Sequence, residues 1–432
     1  MTAGLGLFFT TDGHGWTRMD TDLGLICVYP CPSVVELNPA VTEVLRETFS
    51  ISSPEGILEP GQDLVKTAII TGANGFIGSH VACRLLAQGW TVHALGRGNE
   101  AGRWEDRVFA AMRQVGSSDE FRGSLFCHEV SLSAPELNLD ALFQSVSPVS
   151  EATLFLLAGD TRFRPSNPEV QRRVNVQAPV KLVGALQGRI VRVIHVSTAY
   201  VAGKRAQLIR ESELDCGQDF WNSYEKSKFD AEVALTALCR EQAIPLVIVR
   251  PSIIINDRKS GRASTFTHLN AMVEVVSRIQ EYYGILDGQV VSKTIRLAAD
   301  PQASPNLAAV DSIVPPLLQI AGSAAAPGKV FHLCHPHPQP NQEVMSLICE
   351  AFQVKDRLAL EFVADIPKPM SHTEEMIFRS LKVYAPYLNS RCEFDVSNSR
   401  SIVRDYDSFF TPLDVPCLRK VIAFQREHRN IP

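Results

Sequence analysis

Two side chains suited to proton transfer, Tyr224 and Lys228, stand four positions apart in the segment NSYEKSKFDAE. The surrounding alanines, glutamates and lysines favour a helix, and a spacing of four places both residues on one helix face. A phenol with its ordinary pKa of ~10 is a poor catalyst near neutral pH, but a neighbouring ammonium group lowers that pKa. The pair is therefore predicted to exchange a proton with a carbonyl oxygen. Such pairs also occur on helix surfaces, so the position in the fold must decide between a catalytic and a structural role.

A hydroxyl residue, Thr198, lies 26 residues before Tyr224 at the end of the apolar run RVIHVSTAYV. This run predicts a strand over Val191–Ser197, whose carboxyl end is the edge at which open α/β sheets bind ligands. The Thr198 hydroxyl is therefore predicted to hydrogen-bond the reacting oxygen. For Ser197, a direct role and a strand-end hydroxyl satisfied by the backbone are equally open.

A glycine-rich loop in KTAIITGANGFIGSH joins a short apolar strand, Ala68–Ile70, to an amphipathic run over Ser79–Gln88 and a second strand over Thr91–Leu95. Such a β-α-β unit with three spaced glycines is typical of dinucleotide binding. Gly72 provides the turn, Gly75 lets the backbone approach a diphosphate, and Gly78 lets the helix pack against the sheet. The diphosphate is expected at the helix N-terminus.

The residue that meets the adenosine ribose indicates which nicotinamide cofactor is bound. An acidic residue at the end of the second strand would hold a free 2′-hydroxyl, whereas an arginine would hold a 2′-phosphate. The chain reads HALGRGNE there, with Arg97 nineteen residues after Gly78 and with Arg103 and Arg107 following. NADP is therefore predicted over NAD. The alternative is that Arg97 is a solvated loop charge, which Glu100 nearby keeps open.

Composition is that of an ordinary globular protein, with 432 residues, 45% hydrophobic and 21% charged residues, and a net charge of −5. This balance predicts binding to neither nucleic acid nor an anionic membrane. No stretch approaches ~20 apolar residues and the N-terminus does not resemble a signal peptide, so a cytoplasmic protein without a membrane span is expected. The ten cysteines lack metal or disulfide spacing and are predicted to be free thiols.

Strand-like and helix-like segments alternate from Lys66 to Arg250, which predicts an α/β fold with a Rossmann-type, doubly wound parallel sheet. Further predicted strands are Leu154–Ala158 and Leu246–Val249. After Pro251 the pattern becomes irregular, with predicted breaks at Pro315-Pro316, a helix over Asn341–Phe352, and a smaller, partly helical C-terminal substrate domain. Three domains are predicted: an extension of unknown role (1–62), the NADP-binding domain (63–252, with return segments from about 290–335) and a mainly substrate-binding domain (253–432). The extension is predicted to contain a strand over Leu23–Tyr29, a helix over Val34–Phe49 and a linker, SSPEGILEPGQD.

Four motifs in order, TGANGFIG, HVSTAYV, YEKSK and VIVRPSII, resemble the extended short-chain dehydrogenase/reductase family over Lys66 to Cys334. LAGDTRFRP and VRPSIII are most similar to its branch of fatty acyl reductases and thioester reductase domains. The resemblance implies an NADPH-dependent oxidoreductase that reduces an acyl thioester to an aldehyde or alcohol. The acyl group would be bound to coenzyme A or to a carrier protein. The resemblance also implies a homodimer. Alternatives are a hydroxyl dehydrogenase, ketoreductase or epimerase acting on a hydroxyacyl, sterol or sugar-nucleotide substrate, and a non-catalytic NADP-binding regulator.

The same resemblance assigns the site residues. It implies a catalytic triad of Thr198, Tyr224 and Lys228, in which Lys228 also holds the nicotinamide ribose. The implied cofactor contacts are Gly72, Gly75, Phe76, Ile77 and Gly78 at the diphosphate, Arg97 and Arg107 at the 2′-phosphate, and Pro251 and Ser252 beside the nicotinamide. Asn175 stands where relatives begin a helix beneath the site. The chain departs from the family at two positions. Ser131 stands where relatives have an acidic residue that meets adenine, and Leu156 stands where histidine is common in relatives.

Other conspicuous residues are predicted to be structural. His332, Cys334, His335 and His337 lie close together in FHLCHPHP, but alternate strand side chains diverge, so no metal site is predicted. Asp311 is expected to cap a helix. Aromatic residues are expected in the core rather than along an acyl channel; they are Phe163, Trp221, Phe266, Tyr282 and Tyr283. The sequence contains no G-x-S-x-G motif, which argues against a serine hydrolase.

Overall fold

The computed structural model describes residues 9–11, 17–19, 26–28, 66–100, 102–116, 121–146, 151–264, 268–284 and 294–428. The chain divides into two compact units, Met1–Leu64 and Val65–Pro432. The first unit contains an antiparallel sheet of β1 (Phe9–Thr11), β2 (Thr17–Met19) and β3 (Ile26–Val28). β3 falls within the strand predicted over Leu23–Tyr29. The helix predicted over Val34–Phe49, the predicted linker and Phe266 lie outside the described residues.

A parallel seven-stranded sheet forms the centre of the second unit. Its strands are β4 (Thr67–Thr71), β5 (Thr91–Gly96), β6 (Leu125–Glu129), β7 (Ala152–Leu156), β8 (Ile190–Val196), β10 (Leu246–Pro251) and β14 (Val330–Leu333). They lie in the order β14-β10-β8-β7-β4-β5-β6. The chain therefore winds outward from β4 in one direction and from β7 in the other, which confirms the predicted Rossmann-type sheet.

Helices cover both faces of this sheet. The helices are α1 (Phe76–Ala87), α2 (Trp104–Gln114), α3 (Asp140–Ser145), α4 (Pro168–Arg172), α5 (Ala178–Ala185), α6 (Ser223–Glu241), α7 (His268–Tyr282), α8 (Val310–Gly322), α9 (Asn341–Ala351), α10 (His372–Leu381), α11 (Ala385–Leu388), α12 (Ser397–Ile402) and α13 (Val415–Glu427). Apolar residues of α1, α2 and α8 form the core on one face, and those of α3, α5 and α6 form the core on the other. Burial on both faces explains why the strands are nearly continuous apolar runs.

A further hydrophobic core, separate from the two on the faces of the sheet, is built mainly by α7, α9 and α13 from the C-terminal part of the chain. The shorter strands are β9 (Leu208–Ile209), β11 (Ile253–Ile255), β12 (Ile295–Ala298), β13 (Leu307–Ala309), β15 (Leu360–Val363) and β16 (Glu393–Phe394). They pair as β11-β13, β12-β15 and β16-β9. The last pair ties the C-terminal part to the segment that follows β8. Among the described helices, none has the length and apolar character needed to cross a membrane.

The break predicted at Pro315-Pro316 is wrong, because both prolines lie inside α8. Each removes a backbone donor, yet the helix buries Ile313, Val314 and Leu317 against the sheet. Tertiary packing of an apolar face therefore outweighs the low helix propensity of proline. α1 also begins at Phe76, three residues earlier than predicted, because the extended backbone of Gly75 already serves as its N-cap.

Candidate active site

The glycine loop after β4 is closed so tightly that two of its glycines have no room for a side chain. Gly72 has a φ of +75°, and the Gly75 amide donates to the Gly72 carbonyl over 2.8 Å. A Cβ at Gly78 would lie 2.0 Å from the Gly72 oxygen, and one at Gly72 would lie 2.8 Å from Ala158 N. No side-chain hydrogen bond caps α1 at Gly75, and its first turn, with Phe76 and Ile77, holds no acidic residue. These features fit a dinucleotide diphosphate at the helix N-terminus.

The loop opens at the point where strand order reverses, between β4 and β7. Thr71 Oγ1 accepts hydrogen bonds from Leu157 N (3.1 Å) and Ala158 N (3.2 Å). These bonds hold the ends of the two neighbouring strands together while their loops continue to opposite faces. Ligands of open α/β sheets bind in the crevice at such a reversal.

The three arginines after β5 differ in their contacts. Arg107 Nη1 donates to the Arg97 carbonyl oxygen over 2.7 Å, so these two residues lie together. Arg103 instead forms an exposed ion pair with Asp106 over 3.2 Å. The hydroxyl of Ser131, which stands where the resemblance predicts a residue that meets adenine, lies 3.3 Å from the Ser133 hydroxyl. Of the three arginines, Arg97 and Arg107 take no part in this ion pair with Asp106.

The structure brings Thr198, Tyr224 and Lys228 together at the carboxyl end of β8. Thr198 caps the 3₁₀ turn Ala199–Ala202, its Oγ1 accepts from Tyr200 N over 3.3 Å, and its hydroxyl also hydrogen-bonds the Tyr224 phenol. Tyr224 is the second residue of α6. Lys228 is buried one turn later, and its Nζ donates to the Val196 carbonyl oxygen over 2.7 Å.

The expected lowering of the Tyr224 pKa is wrong for this structure. Burial raises the pKa of Tyr224 to about 12, the hydrogen bond with Thr198 opposes that rise, and the negative charge of Glu225 adds to it. Burial also lowers the pKa of Lys228 to about 8, against the attraction of Glu232. Desolvation therefore outweighs the predicted effect of the ammonium group, and the phenol keeps its proton at neutral pH.

A π-helical segment, Arg173–Gln177, places Asn175 beneath the site. Asn175 Oδ1 accepts from Asp160 N over 2.7 Å, and its Nδ2 donates to Asp160 O (3.0 Å) and to Ser227 Oγ (2.8 Å). Ser227 Oγ in turn donates to the Tyr224 carbonyl oxygen over 2.8 Å. Asn175 thus joins the loop after β7 to the helix of Tyr224, and π-helical segments are frequent at functional sites.

β10 ends at the same edge of the sheet as β8, because the two strands are parallel. Pro251 is the last residue of the strand, and Ser252 N donates to Leu333 O over 3.0 Å. Ser197 Oγ is buried without a hydrogen-bond partner among the described residues. A buried hydroxyl without a partner costs about 1–3 kcal/mol. The backbone-satisfied role left open for Ser197 is therefore not observed.

Aromatic side chains cover Tyr224. The Phe163 ring lies 6.3 Å from the Tyr224 ring and 5.5 Å from the Tyr387 ring. The predicted core location is wrong for Trp221, which is 47% exposed, and for Tyr282, which is 59% exposed. The Trp221 ring instead lies 5.3 Å from the Lys204 ammonium group, and the Tyr282 ring packs on that of Tyr283 at 4.9 Å. Tyr283 is partly buried, and its hydroxyl lies 3.0 Å from Thr373 Oγ1.

The remaining conspicuous residues have structural contacts. His332 Nδ1 lies 2.8 Å from the Asp395 carbonyl oxygen, and His335 Nδ1 accepts from His337 N over 3.0 Å. The described residues contain no group of three side chains arranged to hold a metal. The prediction that Asp311 caps a helix is wrong for α8, because Asp311 is the second residue of that helix and its N-cap is Ala309. The Asp311 carboxylate instead accepts from Arg258 N over 3.1 Å.

Two residues near Tyr224 were not predicted, Glu225 and Tyr387. Glu225 N donates to Asn222 Oδ1 over 3.0 Å, and its own carboxylate accepts from Trp221 N over 2.9 Å. The Asn-x-x-Glu spacing is a recognisable helix-start signal that could have predicted the first contact. No sequence signal relates Tyr387 to Tyr224, because the two are far apart along the chain.

Comparisons with known proteins agree with this geometry. A family model described as "Male sterility protein" matches residues 70–293. Peramine synthetase A of Epichloe festucae (strain Fl1) is 25% identical over 269 residues, which are 60% of this chain and 9% of that protein. The hybrid PKS-NRPS synthetase pydA of Acremonium sp is 29% identical over 205 residues, 45% of this chain and 4% of that protein. The chain thus spans less than a tenth of the length of these curated relatives.

Solved structures share the fold. The terminal R domain from the myxalamid PKS-NRPS biosynthetic pathway is similar over 85% of this chain and 92% of that one, with a TM-score of 0.67 and 16% identity. A thiolation-reductase di-domain from an archaeal non-ribosomal peptide synthetase has a TM-score of 0.63 and 18% identity, over 85% and 76%. UDP-glucuronic acid 4-epimerase from Bacillus cereus, solved with UDP-glucuronic acid and NAD, has a TM-score of 0.57 and 14% identity, over 84% and 99%.

Proposed function

This chain belongs to the male sterility protein family of extended short-chain dehydrogenases/reductases and is an NAD(P)-dependent oxidoreductase, and we propose that it uses NADPH to reduce an acyl thioester. The observation that carries the proposal is the convergence of Thr198, Tyr224 and Lys228 at the carboxyl edge of the parallel sheet, the edge at which the glycine loop follows β4. A hydroxyl, a protonated phenol and a buried ammonium group at the carboxyl edge of the sheet are suited to reduction of a carbonyl group.

The cofactor would be held by the residues that already fit it. Backbone amides of Gly75 to Gly78 would bind the diphosphate, Lys228 would bind the nicotinamide ribose, and Pro251 and Ser252 would border the nicotinamide. When bound, the reduced nicotinamide supplies a hydride to the carbonyl carbon.

Thr198 and Tyr224 act on the carbonyl oxygen. Both donate hydrogen bonds to it as negative charge develops, and Tyr224 transfers its proton to it. The resulting hemithioacetal then breaks its carbon–sulfur bond, and its hydroxyl proton passes to the sulfur, which gives an aldehyde and a free thiol. A second round of reduction would give the alcohol.

The names of the similar proteins support a thioester substrate tethered to a carrier protein. Two of the similar structures are described as a terminal R domain and a thiolation-reductase di-domain, and the similar curated proteins are synthetases. A chain that matches only a small part of such synthetases fits the role of their reductase portion.

The decisive experiment measures NADPH oxidation with acyl-coenzyme A and acyl-carrier thioesters against keto and hydroxy substrates. We expect turnover of thioesters, and Tyr224→Phe should lower kcat by about 10²–10⁴-fold with an unchanged NADPH affinity. The exposed Tyr282→Phe is the matched control. Turnover of only keto or hydroxy substrates would favour a ketoreductase, dehydrogenase or epimerase, and NADP binding without any turnover would favour a regulator.

NADP is proposed over NAD because Arg97 and Arg107 lie together after β5. Arg97→Ala or Arg107→Ala should weaken NADP binding about tenfold, equal to about 1.4 kcal/mol, and leave NAD binding unchanged. Arg103→Ala is the control, because Arg103 is paired with Asp106. Equal losses for both cofactors, measured by isothermal titration, would contradict a 2′-phosphate contact.

A further inference from the structure

A carboxylate that the proposed mechanism does not use, that of Glu225, is completely buried next to Tyr224. It accepts hydrogen bonds from Trp221 N (2.9 Å), Asn222 Nδ2 (3.3 Å) and the Tyr387 hydroxyl (2.5 Å). Glu225 forms no ion pair among the described residues. Burial raises the pKa of Glu225, and these three hydrogen bonds oppose that rise, so they favour the charged form of the carboxylate, whose field reaches its neighbours.

The third donor, Tyr387, comes from α11, in the C-terminal part of the chain. Its hydroxyl also accepts from Asn222 Nδ2 over 2.8 Å, so it joins the N-cap of α6 to the carboxylate. Its ring packs between Phe163 (5.5 Å) and Tyr200 (5.0 Å), and Phe163 covers Tyr224. Tyr387 therefore contacts three segments that also contact or contain Tyr224: the loop after β7, the turn that Thr198 caps and the start of α6.

We infer that Glu225 and Tyr387 are positioning residues that hold the first turn of α6 in place and add to the effect of burial in keeping the proton on Tyr224. The inference rests on the proposed function, because it takes Tyr224 as the proton donor. A phenol that retains its proton is ready to donate to a carbonyl oxygen, so the arrangement suits the reductive direction.

The surroundings of Glu225 leave its charge unopposed. The titratable groups that interact with it are Tyr224 on its own helix, Tyr387 from α11, Tyr200 from the 3₁₀ turn and Cys392 from the segment before β16. None of these groups is cationic. Burial raises the pKa of Glu225, and the hydrogen bond from Tyr387 lowers it. The Tyr387 hydroxyl therefore helps Glu225 to stay charged.

Loss of either residue should act on Tyr224 in the same direction. Glu225→Gln removes the charge and keeps an acceptor oxygen for Trp221 N. Tyr387→Phe keeps the ring and removes the hydroxyl, so Glu225 takes up a proton more readily and its charge is lost. In both variants the Tyr224 pKa should fall, because a nearby negative charge no longer opposes the phenolate.

The first measurement is a titration of phenolate absorbance without substrate. Each protein is compared with its Tyr224→Phe counterpart, so that the difference reports a single phenol. We expect the Tyr224 midpoint to fall by about one pH unit in Glu225→Gln and in Tyr387→Phe. Tyr384→Phe is the matched control, because its ring also packs on Phe163, at 6.2 Å, and should leave the midpoint unchanged.

The second measurement is the pH dependence of kcat for NADPH-dependent thioester reduction. The alkaline limb set by Lys228 near pH 8 should stay in place in both variants, and the more alkaline limb set by Tyr224 should move to lower pH. A purely structural role would lower activity without moving the Tyr224 limb. Shifted titrations without turnover of any thioester would reject the proposed function and retain the positioning role. Turnover in the parent with unshifted titrations in both variants would reject the positioning role and retain the proposed function.

Discussion

Lys228 is the residue at which stability and the proposed chemistry oppose each other most directly. Burial lowers its pKa from 10.5 to about 8, so the folded chain binds fewer protons at this site than the unfolded chain between those two values. Stability at this site therefore rises as the pH increases through that window, and the cost of burying the charge is fully present below it.

Replacing the lysine should relieve that cost. Lys228→Met is expected to raise the free energy of unfolding by about 1 kcal/mol near neutral pH, to flatten the pH dependence between about 8 and 10.5, and to abolish reduction. Urea unfolding at several pH values measures the effect. Lys226→Met is the control, because Lys226 is 52% exposed and its ion pair with Asp230 contributes little. A destabilised Lys228→Met with an unchanged pH slope would show that the bond to Val196 matters more than the buried charge.

Tyr224 and Lys228 could be predicted from the sequence, because their residue types and their spacing indicate proton transfer, and the structure brings them together. Sequence reasoning could not select Tyr387, because a contact between residues 162 positions apart leaves no local pattern. It also gave the wrong sign for the Tyr224 pKa, because spacing reveals a neighbouring cation and not the depth of burial.

At the level of elements, the turn between β4 and α1 is the most constrained feature. A Cβ at Gly78 would meet the Gly72 oxygen at 2.0 Å, which requires the backbone to move. Gly78→Ala should destabilise the chain by about 2–3 kcal/mol and weaken dinucleotide binding, because the donors of the loop would be displaced. Chemical unfolding and cofactor titration together measure both effects.

Gly184 provides a matched control for that substitution. It lies in α5, and no atom of a neighbouring element comes within 4 Å of the place that a methyl group would occupy. Gly184→Ala should therefore leave binding unchanged and stabilise the helix by about 0.5–1 kcal/mol. If both substitutions had the same effect, the close approach at Gly78 would not be what limits the loop.

Element boundaries were predicted well where apolar periodicity and turn residues coincide, as in β5 and β8. They were predicted poorly where tertiary packing decides. Pro315 and Pro316 continue through α8 because the apolar face of that helix is buried, and the π-helical turn at Asn175 has no periodic signature. Local propensity cannot report either effect.

At the scale of the whole molecule, the alternation of strands and helices was enough to predict the sheet. The role of the last hundred residues was harder to predict, since Val396, Val403, Tyr406 and Phe410 join the same core as β4. These residues follow no helix or strand period, so their sequence does not indicate where they pack. The predicted boundaries at 62 and 252, the homodimer and the cytoplasmic location stay predictions.

Removal of residues 1–64 tests whether the second unit is self-sufficient. All seven central strands lie in Val65–Pro432, so this fragment should unfold cooperatively and bind NADP within about twofold of the full chain. Urea unfolding and isothermal titration of both proteins make the comparison. An insoluble fragment, or one that binds NADP more than about tenfold more weakly, would assign the first unit a part in the fold or the site.

The bond from Tyr387 to Glu225 has a consequence for engineering by recombination. A chimera that takes its C-terminal portion from a relative, in order to accept a new acyl group, would also exchange the residue that faces the first turn of α6. Where the relative has no hydroxyl at that position, the Tyr224 pKa would change together with the acyl selectivity, so the working pH of that chimera would have to be optimised anew.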